Sequence, residues 1–239
     1  MEDLDTLVKY ISACSYRDEL EIRRFNVKMP ETIDSCAHFK LSKQVSAHPD
    51  ALAIDAWDRR LTYHELNNEA TRLAHYLSNT SSVGVEDVIP VVFPKSKSVV
   101  ISMLAVRRLG DAFALIDARH PPTWIEQIVK GTRTSLILCS SAVAKSLVSC
   151  IECLIVDRAL MKRIPINHSP IITSVSSHNL AYVVHTSGST RKPKGIMHTH
   201  STYVSGVKNR IPTIYRNQNA RVLQFASYLF DVLIEDYLD

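Results

Sequence analysis

The chain has 239 residues, 46% hydrophobic and 22% charged, with a net charge of +4, enough apolar material for one sizeable core or two smaller ones sharing an interface. Lys and Arg are interspersed with Asp and Glu, which disfavours nucleic acid as a partner, and no apolar run approaches the ~20 residues of a membrane span. The opening, Met1-Glu2-Asp3-Leu4-Asp5, is acidic where a secretory signal is basic, so a cytoplasmic protein is expected.

Residues 51–54 (Ala-Leu-Ala-Ile) read as a short strand. Thr62 and Glu65 have the spacing of a capping box, and Tyr63, Leu66, Ala70, Leu73, Ala74 and Leu77 then recur at helical spacing. That predicts a helix over 62–77 with one face buried. Residues 88–93 read as an apolar strand, with Pro90 arguing for an edge or an end. Val99, Met103, Val106 and Leu109 predict a helix over 98–109, closed by Gly110 as a left-handed cap. A strand at 112–116, a helix at 122–129, a strand at 136–139, a helix at 142–148 and strands at 154–156, 181–185 and 222–225 follow. The stretch from Met161 to Asn179 reads as a surface connection, and a helical pattern begins at Asp231. This alternation predicts an α/β fold, a largely parallel sheet flanked by helices.

Five cysteines, Cys14, Cys36, Cys139, Cys150 and Cys153, are an odd set without the density of a disulfide scaffold, and reduced thiols are expected. The Cys150/Cys153 spacing suits a redox pair or half a zinc site, but apolar Leu154-Ile155-Val156 follows directly and no second pair stands near. His198 and His200 form an H-x-H pair, with His185 earlier, yet no acidic or cysteine partner lies close in sequence, so no metal site is expected.

The stretch from Ala181 to Gly195 is a strand running into a polar loop, Thr186-Ser187-Gly188-Ser189-Thr190-Arg191-Lys192-Pro193-Lys194-Gly195. Polyphosphate binding needs free backbone N–H groups, small hydroxyl side chains and fixed positive charge, and this loop holds all three. An ordinary Ser/Gly-rich surface turn is the alternative. A P-loop is disfavoured, because Pro193 stands where that pattern needs its second glycine.

The loop resembles the phosphate loop of the adenylate-forming (AMP-binding) superfamily. Leu61-Thr62-Tyr63-x-Glu65-Leu66 is similar to that family's first core motif, residues 104–117 to its second, and His200 to the histidine that follows the loop. Residues 223–228 followed by Phe230-Asp231 resemble the amino-acid-activating members, the adenylation domains of nonribosomal peptide synthetases. The resemblance implies a linker-like segment over 1–30 and the N-terminal part of an adenylation domain over 31–239. It implies ATP and Mg²⁺ as cofactors, with Thr186, Ser187, Gly188, Ser189, Thr190, Lys192, Lys194 and Gly195 forming the phosphate loop. Phe230 and Asp231 would meet the substrate, Asp231 pairing with its α-ammonium group; read without the family, Asp231 instead caps the last helix. A phosphopantetheinyl carrier protein would be the partner of the complete enzyme.

Arg191, Arg59 and Asp111 stand where relatives commonly have glycine, Leu115 where they have proline, and Leu233 where they have serine. Arg191 either obstructs a backbone geometry that glycine tolerates or adds charge toward the phosphates. The later catalytic motifs of the family fall beyond Asp239. The sequence therefore reads as a truncated, inactive part of an enzyme that activates an amino acid as aminoacyl-AMP. A non-catalytic remnant with weak or no nucleotide binding, and part of an acyl or aryl acid ligase, are the alternatives.

Overall fold

In the structure, a computed structural model, the described residues are 14–27, 31–80, 86–132, 134, 136–147, 152–166, 171, 175–187, 193–210, 220–228 and 234. The chain divides into two compact units, Met1–Glu31 and Thr32–Asp239. The first carries helix α1 (Tyr16–Phe25), opened by a capping box: Ser15 Oγ accepts from Asp18 N at 3.2 Å and Asp18 Oδ2 accepts from Ser15 N at 2.9 Å. None of its residues is buried.

The second unit begins with α2 (His38–Ala47) and a β1–β2 hairpin (Leu52–Asp55, Arg60–Thr62), then α3 (Tyr63–Thr80). Strands and helices then alternate: β3 (Val88–Phe93), α4 (Lys97–Leu109), β4 (Ala112–Asp117), α5 (Pro122–Thr132), β5 (Leu136–Cys139), α6 (Ser141–Ser146), β6 (Glu152–Ile155) and α7 (Arg158–Arg163). The described elements end with β7 (Leu180–Ser187), β8 (Pro193–Thr199) and α8 (His200–Arg210). The six-stranded sheet has the order β6-β5-β3-β4-β7-β8, parallel except for the antiparallel β7–β8 pair. The predicted α/β fold with a largely parallel sheet is the one found.

Strand residues alternate between two faces, and each face has its own core. Ile89, Val91 and Phe93 of β3, with Phe113 and Leu115 of β4, pack with α3, α4 and α7; Val92, Ile116, Ile137 and Cys139 pack with α5 and α6. The connection leaving β3 therefore departs to one face and the connection leaving β4 to the other, which opens a crevice at their carboxyl ends.

Several sequence expectations need correction. The stretch from Met161 to Asn179, expected as a surface connection, holds buried Met161 and Ile164, which pack into the core, and buried Ser177. Pro90 lies in the middle of the sheet, not at its edge, because β3 sits between β5 and β4. Val92 O accepts from Ser140 N, so alternate residues 90 and 92 turn toward β5, and the β5 ladder starts only at Val91↔Leu138. The missing N–H of Pro90 therefore removes no ladder bond. Residues 222–225 form no strand, because the 220–228 segment crosses the crevice and is held by side chains instead of a neighbouring strand.

Candidate functional site

The β7–β8 hairpin builds the first half of the site. Its register pairs His185 with Gly195, Thr186 with Lys194 and Ser187 with Pro193. Thr186, Ser187, Lys194 and Gly195 thus belong to strands at the base of a hairpin, whereas Gly188, Ser189, Thr190, Arg191 and Lys192 lie outside the described residues. Directly opposed residues of an antiparallel pair share a face, so the Thr186 hydroxyl and the Lys194 ammonium stand on one side, both exposed.

Gly195 lies in close contact on the other side. A Cβ there would meet Val183 Cγ1 at 3.0 Å and His185 Nε2 at 3.4 Å, so the two side chains of β7 lie over the bare glycine. His185 is half-buried, its Nδ1 has no hydrogen-bond partner among the described residues, and desolvation lowers its pKa, keeping the imidazole neutral near pH 7.

An aromatic stack anchors the hairpin from behind. The Tyr182 ring lies parallel to Phe113 at 5.8 Å and to His198 at 4.7 Å, with Tyr203 of α8 edge-on at 6.0 Å. His198 and His200 therefore face different neighbours: buried His200 accepts from Ala37 N through Nδ1 at 3.4 Å. The 33–37 segment is stitched to the same region, Ile33 N donating to Ser205 Oγ at 2.8 Å and Ser201 Oγ to Ile33 O at 3.0 Å. His200 joins α8 to the entry segment on the core side of the hairpin.

The second half lies at the crevice. Asp117, the last residue of β4, accepts from Arg119 N at 2.9 Å, Arg119 Nε at 3.0 Å, Arg119 Nη2 at 2.6 Å and Ser227 Oγ at 3.1 Å. The Arg119 side chain beside it, together with the Ser227 hydroxyl, holds the carboxyl down at about 2. Phe230 and Asp231, the substrate residues the sequence singled out, lie outside the described residues. Sequence reasoning passed over Lys95, Tyr182 and Ser227; the available signal was that Asp117 closes a core motif, which marks a strand's carboxyl end as occupied.

The AMP-binding enzyme family model matches residues 41–234. This chain belongs to that family. It is 38% identical over 232 residues to enniatin synthase of Fusarium equiseti, covering 96% of this chain and 7% of that protein. It is 35% identical over 228 residues to nonribosomal peptide synthetase 4 of Gibberella zeae, covering 95% of this chain and 3% of the relative. The chain thus spans a small part of the length of these AMP-binding relatives. In fold it is similar to the nonribosomal peptide synthetase FmoA3, solved in an AMPPNP-bound form, with a TM-score of 0.81 at 22% identity over 94% of this chain and 24% of the other. It is also similar to the N-terminal subdomain of Klebsiella oxytoca NpsA, with a TM-score of 0.73 at 21% identity over 82% of this chain and 50% of that one. A further NpsA structure is an artificial fusion of adenylation and PCP domains. Among the described residues no helix is long and apolar enough to cross a membrane.

Proposed function

We propose that this AMP-binding chain is the nucleotide-gripping part of an adenylation domain that activates an amino acid as aminoacyl-AMP for nonribosomal peptide synthesis. The observation that carries this reading is the hairpin register. It sets Thr186 against Lys194 on one exposed face, at the base of a tip whose sequence, residues 188–192, is rich in hydroxyls and cations. A hydroxyl and an ammonium converging at a hairpin base suit a triphosphate accompanied by Mg²⁺.

Bound ATP supplies an electrophilic α-phosphorus: a carboxylate oxygen of the amino acid bonds to it as its bond to the bridging oxygen breaks, and pyrophosphate leaves with the electron pair. This chain's part is positioning. Lys192 and Lys194 offset the phosphate charge, Thr186, Ser187, Ser189 and Thr190 approach the oxygens closely, and Gly188 and Gly195 leave room for the main chain and for His185. Asp231, with Phe230 beside it, pairs with the substrate ammonium, and a phosphopantetheinyl carrier protein accepts the acyl group. The strength of support differs: Thr186, Lys194 and Gly195 rest on geometry and motif together, and Asp231 on the motif.

Titration of the full chain with Mg²⁺–AMPPNP tests this. Lys194→Ala removes a charge-assisted contact, so affinity should fall about tenfold or more. Wild-type affinity in the variant would refute the phosphate-loop assignment. A second reading, a remnant that only packs against a partner, draws support from Leu223 and Phe225, which are 83% and 85% exposed. Absence of AMPPNP binding by the wild-type chain would select it.

A further inference from the structure

Open α/β sheets ordinarily receive a ligand in the crevice at their strands' carboxyl ends, where neighbouring connections depart to opposite faces. Between β3 and β4 this crevice receives the chain itself. Residues 223–228 form neither helix nor strand; Phe225 N donates to Leu223 O and Gln224 Nε2 to Ala226 O within the segment, which leaves the carbonyls of Gln224 and Phe225 to donors from elsewhere. Lys95, just beyond β3, supplies them: its Nζ donates to Gln224 O at 3.2 Å and to Phe225 O at 2.8 Å. The lysine's own main chain is fixed in turn, Trp57 Nε1 donating to Lys95 O at 2.7 Å. On the opposite wall Ser227 Oγ donates to Asp117 Oδ2 at 3.1 Å.

These two holds sit on either side of the crevice that the segment crosses. Leu223 and Phe225 are exposed, Ala226 packs against the core, and Tyr228, 4% exposed, enters it. Lys95 is itself exposed, and what singles it out is that its ammonium bridges the carbonyls of two successive residues while its own carbonyl accepts from Trp57. A second, independent hold lies three residues from the first.

We propose that Lys95 and Asp117 are positioning residues: a two-point clamp that fixes residues 224–228 across the crevice and thereby places the amino-acid-recognising chain that follows Tyr228. The proposal rests on the reading of Phe230 and Asp231 given above, and it concerns the amino acid side of the reaction, not the phosphate hairpin. Held at two points, residues 224–228 keep one position across the crevice; released, they must be ordered again when substrate binds.

Limited chymotrypsin cleavage of the full chain after Phe225, followed by mass spectrometry, tests the clamp. Lys95→Met keeps the stem and removes the donors, and cleavage after Phe225 should accelerate about tenfold while cleavage elsewhere is unchanged. Ser227→Ala should add to it, and Lys95→Arg, which restores the donors, should return the rate to within about twofold of wild type. Wild-type cleavage in Lys95→Met, or acceleration at all sites alike, overturns the clamp. Equilibrium dialysis against AMPPNP and against a labelled mixture of the proteinogenic amino acids tests positioning. Lys95→Met should lose about tenfold in amino acid retention and about twofold or less in AMPPNP affinity; equal losses overturn it. A wild-type chain that binds AMPPNP and retains no amino acid breaks the Asp231 reading, and the cleavage rates then decide the clamp alone.

Discussion

The two ends of α4 treat charge in opposite ways. At its amino end Lys97 and Arg59 meet carboxylates: Lys97 Nζ lies 2.9 Å from Glu69 Oε2, and Arg59 bridges Glu65 at 3.0 Å and Glu69 at 3.1 Å. At its carboxyl end, three ionisable groups, two of them buried and Arg108 half-buried, lack an opposite charge among the described residues. Arg107 is 1% exposed, with Nε and Nη2 unpartnered and the face of Tyr203 5.6 Å away. Arg108 donates only to neutral oxygens of Asn67 and Thr71, and burial pushes it down to about 10. Asp111 has an unpartnered Oδ1. Arg107 and Asp111 stand four apart, yet Gly110 (φ 89°) turns the chain between them. With Gly110 N bonded to Arg107 O and Asp111 N to Val106 O, this is a Schellman cap, and Asp111 occupies the position that usually makes its apolar contact. The lesson is that the charges of Lys97 and Arg59 at the amino end of α4 are matched, while charge at the far end of the same helix is tolerated at a cost in stability.

The sharpest way to break that contrast is Arg107→Leu. Removing a desolvated guanidinium with two unfilled donors should stabilise the chain by about 2 kcal/mol, after allowing for the lost Tyr203 contact. In thermal unfolding that is a rise of roughly 4–8 °C. A fall in melting temperature would mean that the buried cation has a role the contrast misses.

Asp111 gives the next largest effect, with a pH signature. Desolvation, first, and Asp87 raise its pKa to about 7, against ~3.9 unfolded. Its folded-state value is the higher one, so its contribution is fully present below about pH 4 and is lost as pH rises toward 7. Between those values the wild type should lose about 2–3 kcal/mol that Asp111→Asn does not lose. Parallel curves for the two proteins from pH 4 to pH 7 would refute an unpaired buried carboxyl. Asp117 behaves in the reverse sense: held at about 2, it stabilises above pH 4 and gives that up only on stronger acidification.

What the sequence made legible was local. Thr62 and Glu65 form the predicted capping box, Glu65 N donating to Thr62 Oγ1 at 3.2 Å and Thr62 N to Glu65 Oε2 at 2.9 Å. Gly110 caps α4 in the left-handed conformation, as its position after Leu109 implies. Both depend on residues within one helical turn, where spacing carries the information. Pro90 in mid-sheet was illegible because its fit depends on where the β5 ladder begins, a fact about a strand far along the chain. Residues 193–199 hid as a strand because Lys194 and Gly195 read as loop chemistry, and only pairing with β7 settles them. The hold on Ser227 joins residues 110 apart, and no periodicity signals it.

Arg59 supplies the smallest and most diagnostic test, because its surroundings are the opposite of those of Asp111. Arg59 lies at a surface where Glu65 and Glu69 already face it, with its side chain 49% exposed, so its charge stays hydrated and its fork gains two carboxylates. Asp111 lies in a cap whose geometry buries it. Arg59→Ala should therefore cost only about 0.5–1 kcal/mol in urea unfolding, and the loss should shrink as salt is raised to 1 M, where the screening length falls to about 3 Å. A loss of several kcal/mol, unaffected by salt, would place Arg59 among the desolvated charges and erase the difference between the two ends of α4.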